Sequence, residues 1–135
     1  MFTRRIAIIA IPVVATVGAG TAPFVSTASA AGAARTVVAA GHCSRTSTYS
    51  LQVQREDTGQ ISVDWGVDMA AHVAGVAWHV TEVNNGKVFV NQTTRTAPDG
   101  SFSITRVLPP ERTTTITASA TNPVTGERCS AIAKL

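Results

Sequence analysis

The chain has no C-x-x-C or H-x-H pair, no G-x-S-x-G turn and no D-x-[DN]-x-[DN]-G loop. The first absence removes the ligand spacings that mark zinc and copper sites. The second removes the nucleophile elbow of the hydrolases, and the third removes the calcium loop, since Asp64 and Asp68 are spread along a strand and Glu56-Asp57-Thr58-Gly59 reads as a solvated turn. Histidine is scarce: His42, His72 and His79 have no shared spacing. His42 adjoins Cys43, whose sulfur a disulfide would occupy. Aromatic rings are equally few, with one Tyr and four Phe beside Trp65 and Trp78. Both tryptophans stand in phase with aliphatic residues, so they are expected to fill a core rather than form a platform for sugar rings. Helical periodicity is missing apart from the short stretch 69–74.

Excess charge is missing as well, once the N-terminus is read as a targeting segment. Arg4 and Arg5 precede the apolar run Ile6 to Val17, and Ala28-Ser29-Ala30 forms an A-x-A cleavage pattern. The run is short of the ~20 residues that a spanning helix needs. Residues 1–30 are therefore expected to be a helical signal peptide cleaved after Ala30. Ala7 stands where a twin-arginine signal wants a bulky apolar residue, which favours the general secretory route. His42 stands where a lipobox needs a small residue, which argues against lipid attachment at Cys43. Eleven basic and eight acidic residues give the whole chain +3. Cleavage removes two arginines and no acid, leaving nine against eight. With so little charge left, the sequence predicts no basic patch, no nucleic-acid partner and no membrane association after cleavage.

What the chain does have is one pair of cysteines. Cys43 and Cys129 enclose 85 residues, and behind an export signal such a pair predicts a disulfide formed in an oxidising compartment. Closing a loop of that length stabilises by roughly 4–5 kcal/mol in the chain-entropy description. The localisation expected is secreted, outside the cell.

Inside the bracket the period is two. Tyr49, Leu51 and Val53 alternate with polar residues, then Ile61, Val63, Trp65 and Val67, then Val76, Trp78 and Val80. Val88 and Val90 follow, then Phe102 and Ile104, then Thr114, Ile116, Ala118 and Ala120, and finally Cys129, Ala131, Ala133 and Leu135. Asn84-Asn85-Gly86 predicts a tight hairpin, and Pro98-Asp99-Gly100 and Asn122 to Gly126 predict further turns. Seven short alternating strands predict an all-β antiparallel sandwich over residues 43–135. Residues 31–42, rich in alanine, are expected to be a flexible lead-in.

Ile61-Ser62-Val63-Asp64-Trp65 resembles the second strand of fibronectin type III domains, and Val76-Ala77-Trp78-His79-Val80 their third, with Trp78 where that family usually has Tyr. Leu108-Pro109-Pro110 followed by Thr114, Ile116, Ala118 and Ala120 resembles their L-x-P segment and sixth strand. Thr114 takes the place of the corner tyrosine, so the resemblance implies a corner held another way. The cysteines are not at the antibody-type positions. From signal to T-N-P-x-T-G-E-x-C, the arrangement is similar to small secreted actinobacterial proteins. The resemblance implies a seven-stranded immunoglobulin/fibronectin type III-like sandwich with no catalytic residues and no cofactor.

Asp64 and His79 point away from the tryptophan-bearing faces of strands that such a sandwich assigns to different sheets, which keeps them apart as members of a catalytic triad. Two binding readings remain. Asn91 to Pro98 reads as a polar loop that would offer Arg95 to an extracellular protease. Thr113, Thr115, Thr117 and Ser119 form an outward hydroxyl row suited to glycan, although threonine is also simply a good strand former. Asn91-Gln92-Thr93 is a glycosylation sequon of little weight in bacterial export. The expected function is non-catalytic, structural or binding, with an extracellular protein or glycan as partner.

Overall fold

The computed structural model describes residues 35–135. The expected signal peptide, with cleavage after Ala30, lies outside the described residues. Eight strands follow one another: β1 (Arg35–His42), β2 (Thr48–Arg55), β3 (Ile61–Asp68), β4 (Ala77–Asn84), β5 (Lys87–Arg95), β6 (Ser101–Leu108), β7 (Thr115–Thr121) and β8 (Arg128–Lys134). They form two four-stranded antiparallel sheets, ordered β1-β2-β3-β6 and β5-β4-β7-β8.

The period-two pattern explains the layering. Every second residue of β3 (Ile61, Val63, Trp65, Val67) is buried, and so is every second residue of β7 (Ile116, Ala118, Ala120). Two such faces must cover one another to leave water. Trp65 and Trp78 are both fully buried, as expected of rings that bridge two sheets. Trp65 packs against Tyr49 with ring centroids 5.6 Å apart, and Trp78 reaches across to Phe102 of the other sheet at 6.1 Å.

The strand count corrects the expectation of seven. The additional strand is β1, within the segment read as a flexible lead-in. It pairs along its whole length with β2, from Arg35 opposite Arg55 to His42 opposite Thr48. Val37 and Ala39 enter the core while Thr36, Val38 and Ala40 face outward. In Val37-Val38-Ala39-Ala40 both faces carry apolar side chains, so the alternation that betrays the other strands is invisible in the sequence.

The disulfide Cys43–Cys129 joins the turn after β1 to β8, and so fastens one sheet to the other where their edge strands meet. A buried carboxylate reinforces this seam. Glu127 accepts hydrogen bonds from the backbone N–H groups of Arg45 (3.1 Å) and Ser47 (3.0 Å) and from the Ser47 hydroxyl (2.7 Å). The Ser44 N–H donates to the Arg128 carbonyl (2.8 Å), and the Arg128 N–H donates to the Ser44 hydroxyl (2.9 Å).

The connection from β6 to β7 is held from the β4–β5 hairpin. Asn85 has φ 48° and Gly86 φ 85°, the left-handed pair that a two-residue hairpin demands. The Asn85 side chain donates to Glu111 Oε2 (2.6 Å) and the Thr113 carbonyl (2.9 Å), and accepts from the Thr115 N–H (2.9 Å). Arg55 Nη2 adds a bond to the Arg112 carbonyl (3.2 Å).

Candidate functional site

Each sheet has one outer face, and the two differ. On β5-β4-β7-β8 the registers align outward side chains into rows across the strands. Thr93, His79, Thr121 and Arg128 form one row, and Asn91, Thr81, Ser119 and Ser130 the next. Val88, Val83, Thr117 and Ile132 follow, beyond a β-bulge between Glu82 and Val83. Thr115 and Lys134 lie beside them. Strands spaced about 4.8 Å apart make this a surface roughly 14 Å wide. Its middle is hydroxyl and amide, crossed by one apolar row in which Val88 and Ile132 are exposed.

The two hydroxyls singled out from the sequence, Thr115 and Thr117, are on this face, and Ser119 and Thr121 continue their row. All four are half-buried because β7 lies between β4 and β8. Thr113 is exposed but precedes the strand and stands outside the row.

Arg95 is not in a loop, which corrects the reading of 91–98. Asn91 to Arg95 continue β5, paired with Thr81 to Ala77 of β4, and only the turn that follows leaves the sheet. Polar residues concealed the strand in the sequence, because an edge strand with its outward face in water needs few apolar residues. The Arg95 guanidinium donates to the Gly75 carbonyl at 2.9 Å and lies along the fold rather than at the tip of a loop. The turn beyond it is compact: Asp99 Oδ1 accepts from the Ser101 N–H (3.0 Å) and hydroxyl (2.7 Å), which holds its carboxyl below the usual range. Gly100 has φ 83°, and a Cβ there would come within 2.5 Å of the His72 backbone, so the β3–β4 connection rests on a position only glycine can fill.

Sheet β1-β2-β3-β6 presents a different outer face. Asp64 and Asp68 project from β3, and Gly66 between them leaves a gap flanked by Ser50 and Ser103. A depression of about 280 Å³ spreads over that gap, bordered by Thr48, Asp68 and Ser101. Asp64 accepts from the Thr105 hydroxyl at 3.3 Å. His79 belongs to the other sheet and also points outward, so the sandwich separates it from Asp64. His42 ends β1, and His72 Nδ1 lies 2.8 Å from the Asp99 carbonyl in the β3–β4 connection.

A second carboxyl besides Glu127 is inside, and this one has no partner among the described residues. Glu82 is 0 % exposed, in core phase with Trp78 and Val80, and neither carboxyl oxygen has a hydrogen-bond partner among the described residues. Burial pushes its carboxyl up to about 7, opposed by the Arg106 guanidinium and assisted by the Asp64 charge. Arg106 is in the phase of Val63 at the open side of the sandwich, where it donates to Gln92 at 3.2 Å. The phase of Trp78 and Val80 was the sequence signal that could have placed Glu82 inside. No signal marked Glu127 or Asn85 as anchors.

No protein-family model matches the chain, and no curated protein and no solved structure matches it.

Proposed function

We propose that this is a secreted, non-catalytic domain of the immunoglobulin/fibronectin type III-like kind, related to the small actinobacterial proteins it resembles, which binds glycan outside the cell through the outer face of β5-β4-β7-β8. Set β1 aside, and strands one, two and five of the remaining seven make one sheet while four, three, six and seven make the other. That is the immunoglobulin-like division with the fourth strand moved beside the third, which supports the resemblance. A disulfide favours an oxidising compartment.

The observation that carries the binding reading is the alignment of hydroxyl and amide side chains from all four strands on one open face. Sugars present hydroxyls in repeating rows, and a flat surface of matching donors and acceptors meets them without a pocket. The test is polysaccharide pull-down with the secreted chain and with Ser119→Gln, which sets a long uncharged side chain in the middle of the face. Binding should be lost while the melting temperature is kept. Retention of binding by the variant overturns the reading. The protease-inhibitor alternative has weaker support, since Arg95 ends a strand, and it requires Arg95→Ala to abolish inhibition.

A further inference from the structure

A nearly neutral sequence gave no reason to expect a basic surface, yet the fold sorts the charges. Strands β5, β4, β7 and β8 contain one carboxyl, Glu82, and it faces the core. The same strands expose Lys87, Arg95, Arg128 and Lys134. On the opposite sheet the arginines Arg35, Arg55 and Arg106 are in the inward phase, and the charged side chains on its outer face are Asp64 and Asp68. Glu111 is bound to Asn85 at the hairpin end, and Glu127 is buried at the seam with Ser47. The outward side chains of this sheet thus carry the cations Arg95, Arg128 and Lys134 and, among the described residues, no acid, and Coulomb attraction for an anion is concentrated there.

We infer that the outer face of β5-β4-β7-β8 takes an acidic polysaccharide, with Arg128 and Lys134 holding its carboxylates, the row of Asn91, Thr81, Ser119 and Ser130 receiving its hydroxyls, and the apolar row of Val88 and Ile132 lying under its ring carbons. The inference rests on the binding face proposed above and names its ligand class. Charge complementarity selects an anionic partner. The distribution of that charge selects a polysaccharide. Arg128 and Lys134 are six residues apart on one edge strand, about 20 Å along it, and Arg95 is on the opposite edge strand. The cations thus border the face, and its middle is uncharged: the hydroxyl and amide row Asn91, Thr81, Ser119 and Ser130 beside the apolar row in which Val88 and Ile132 are exposed. A densely charged polyphosphate would meet uncharged hydroxyl and apolar side chains over most of the surface. A single-stranded nucleic acid would lack stacking rings, because Trp65, Trp78 and Phe89 all pack toward the core. A chain of uronic acid sugars has the matching composition, with sparse carboxylates among many hydroxyls.

The experiment measures binding of the disulfide-bonded secreted chain to alginate, a polyuronate, at increasing sodium chloride. Dextran serves as the neutral polysaccharide and inorganic polyphosphate as charge without sugar. The expected result is alginate binding that weakens steadily with salt, falls at least tenfold in Arg128→Gln/Lys134→Gln, and is unchanged in Asp64→Asn/Asp68→Asn on the far face. Both double variants change exposed side chains, and their melting temperatures establish that they fold. Equal binding of dextran and alginate, indifferent to salt, overturns the inference and leaves the glycan-binding face standing. Polyphosphate binding as tight as alginate overturns the choice of polysaccharide. Binding of no polysaccharide overturns the inference and the proposed function together.

Discussion

Glu82 stands between Val80 and Asn84 on β4, and its carboxyl is removed from water without a hydrogen bond among the described residues. A charge in that position is costly, so the group holds its proton up to about 7, against an ordinary value of 4.5. The direction of the linkage follows. Between those two values the folded protein keeps a proton that the unfolded chain has released, so stability declines as pH rises. This group's contribution is complete below about pH 4.5 and is lost as pH rises to about 7, a change of about 3 kcal/mol. Glu82→Gln should remove that slope, and the variant should gain on the wild type by a similar amount between pH 4 and pH 8. Urea denaturation at several pH values measures the difference; parallel pH profiles would contradict the assignment. The phase of Trp78 and Val80 extends to Glu82, an inward placement that the sequence reading missed, and only the packed sandwich shows what surrounds it.

Among the elements, the β4–β5 hairpin was legible as a turn and illegible as an anchor. Asn84-Asn85-Gly86 announces left-handed backbone, yet the reach of Asn85 to Glu111, Thr113 and Thr115 depends on where the β6–β7 crossover passes. Two substitutions separate the roles. Asn85→Gly keeps the positive φ and loses the side-chain bonds; Asn85→Ala loses both. The expected costs are about 2 kcal/mol for Gly and about 3 kcal/mol for Ala, read from thermal or urea unfolding. Equal stability of Asn85→Gly and the wild type would show that the crossover is held by other contacts. Strand β1 was illegible for the opposite reason, since alanine and valine on both faces leave no contrast to read. Removing residues 31–42 should destabilise the domain by several kcal/mol, because Val37 and Ala39 leave the core and the β2 edge loses its partner. A truncated chain with an unchanged urea midpoint would restore the lead-in reading.

Over the whole molecule, the sequence exposed the all-β class, six of the seven expected strands in nearly their observed phase, and the cysteine bracket. It misjudged the polar strand around Arg95 for lack of apolar markers and missed the charge sorting altogether. Net charge is a sum, and a sum near zero is silent about which face each residue takes. Position along a two-residue period decides that: Asp64 and Asp68 share one phase of β3, as Arg128 and Lys134 share one phase of β8. The disulfide and Glu127 then fix the two sheets to each other at one seam, so each outer face stays turned to its own side. The proposed function is a consequence of that separation. Amide chemical-shift mapping during titration with alginate oligosaccharide tests it most directly. Shifts should group on β4, β5, β7 and β8, centred on Thr81, Ser119 and Ser130, with Asp64 and Asp68 still. Shifts centred instead on Gly66 and the depression between Ser50 and Ser103, or no shifts at saturating oligosaccharide, would contradict it.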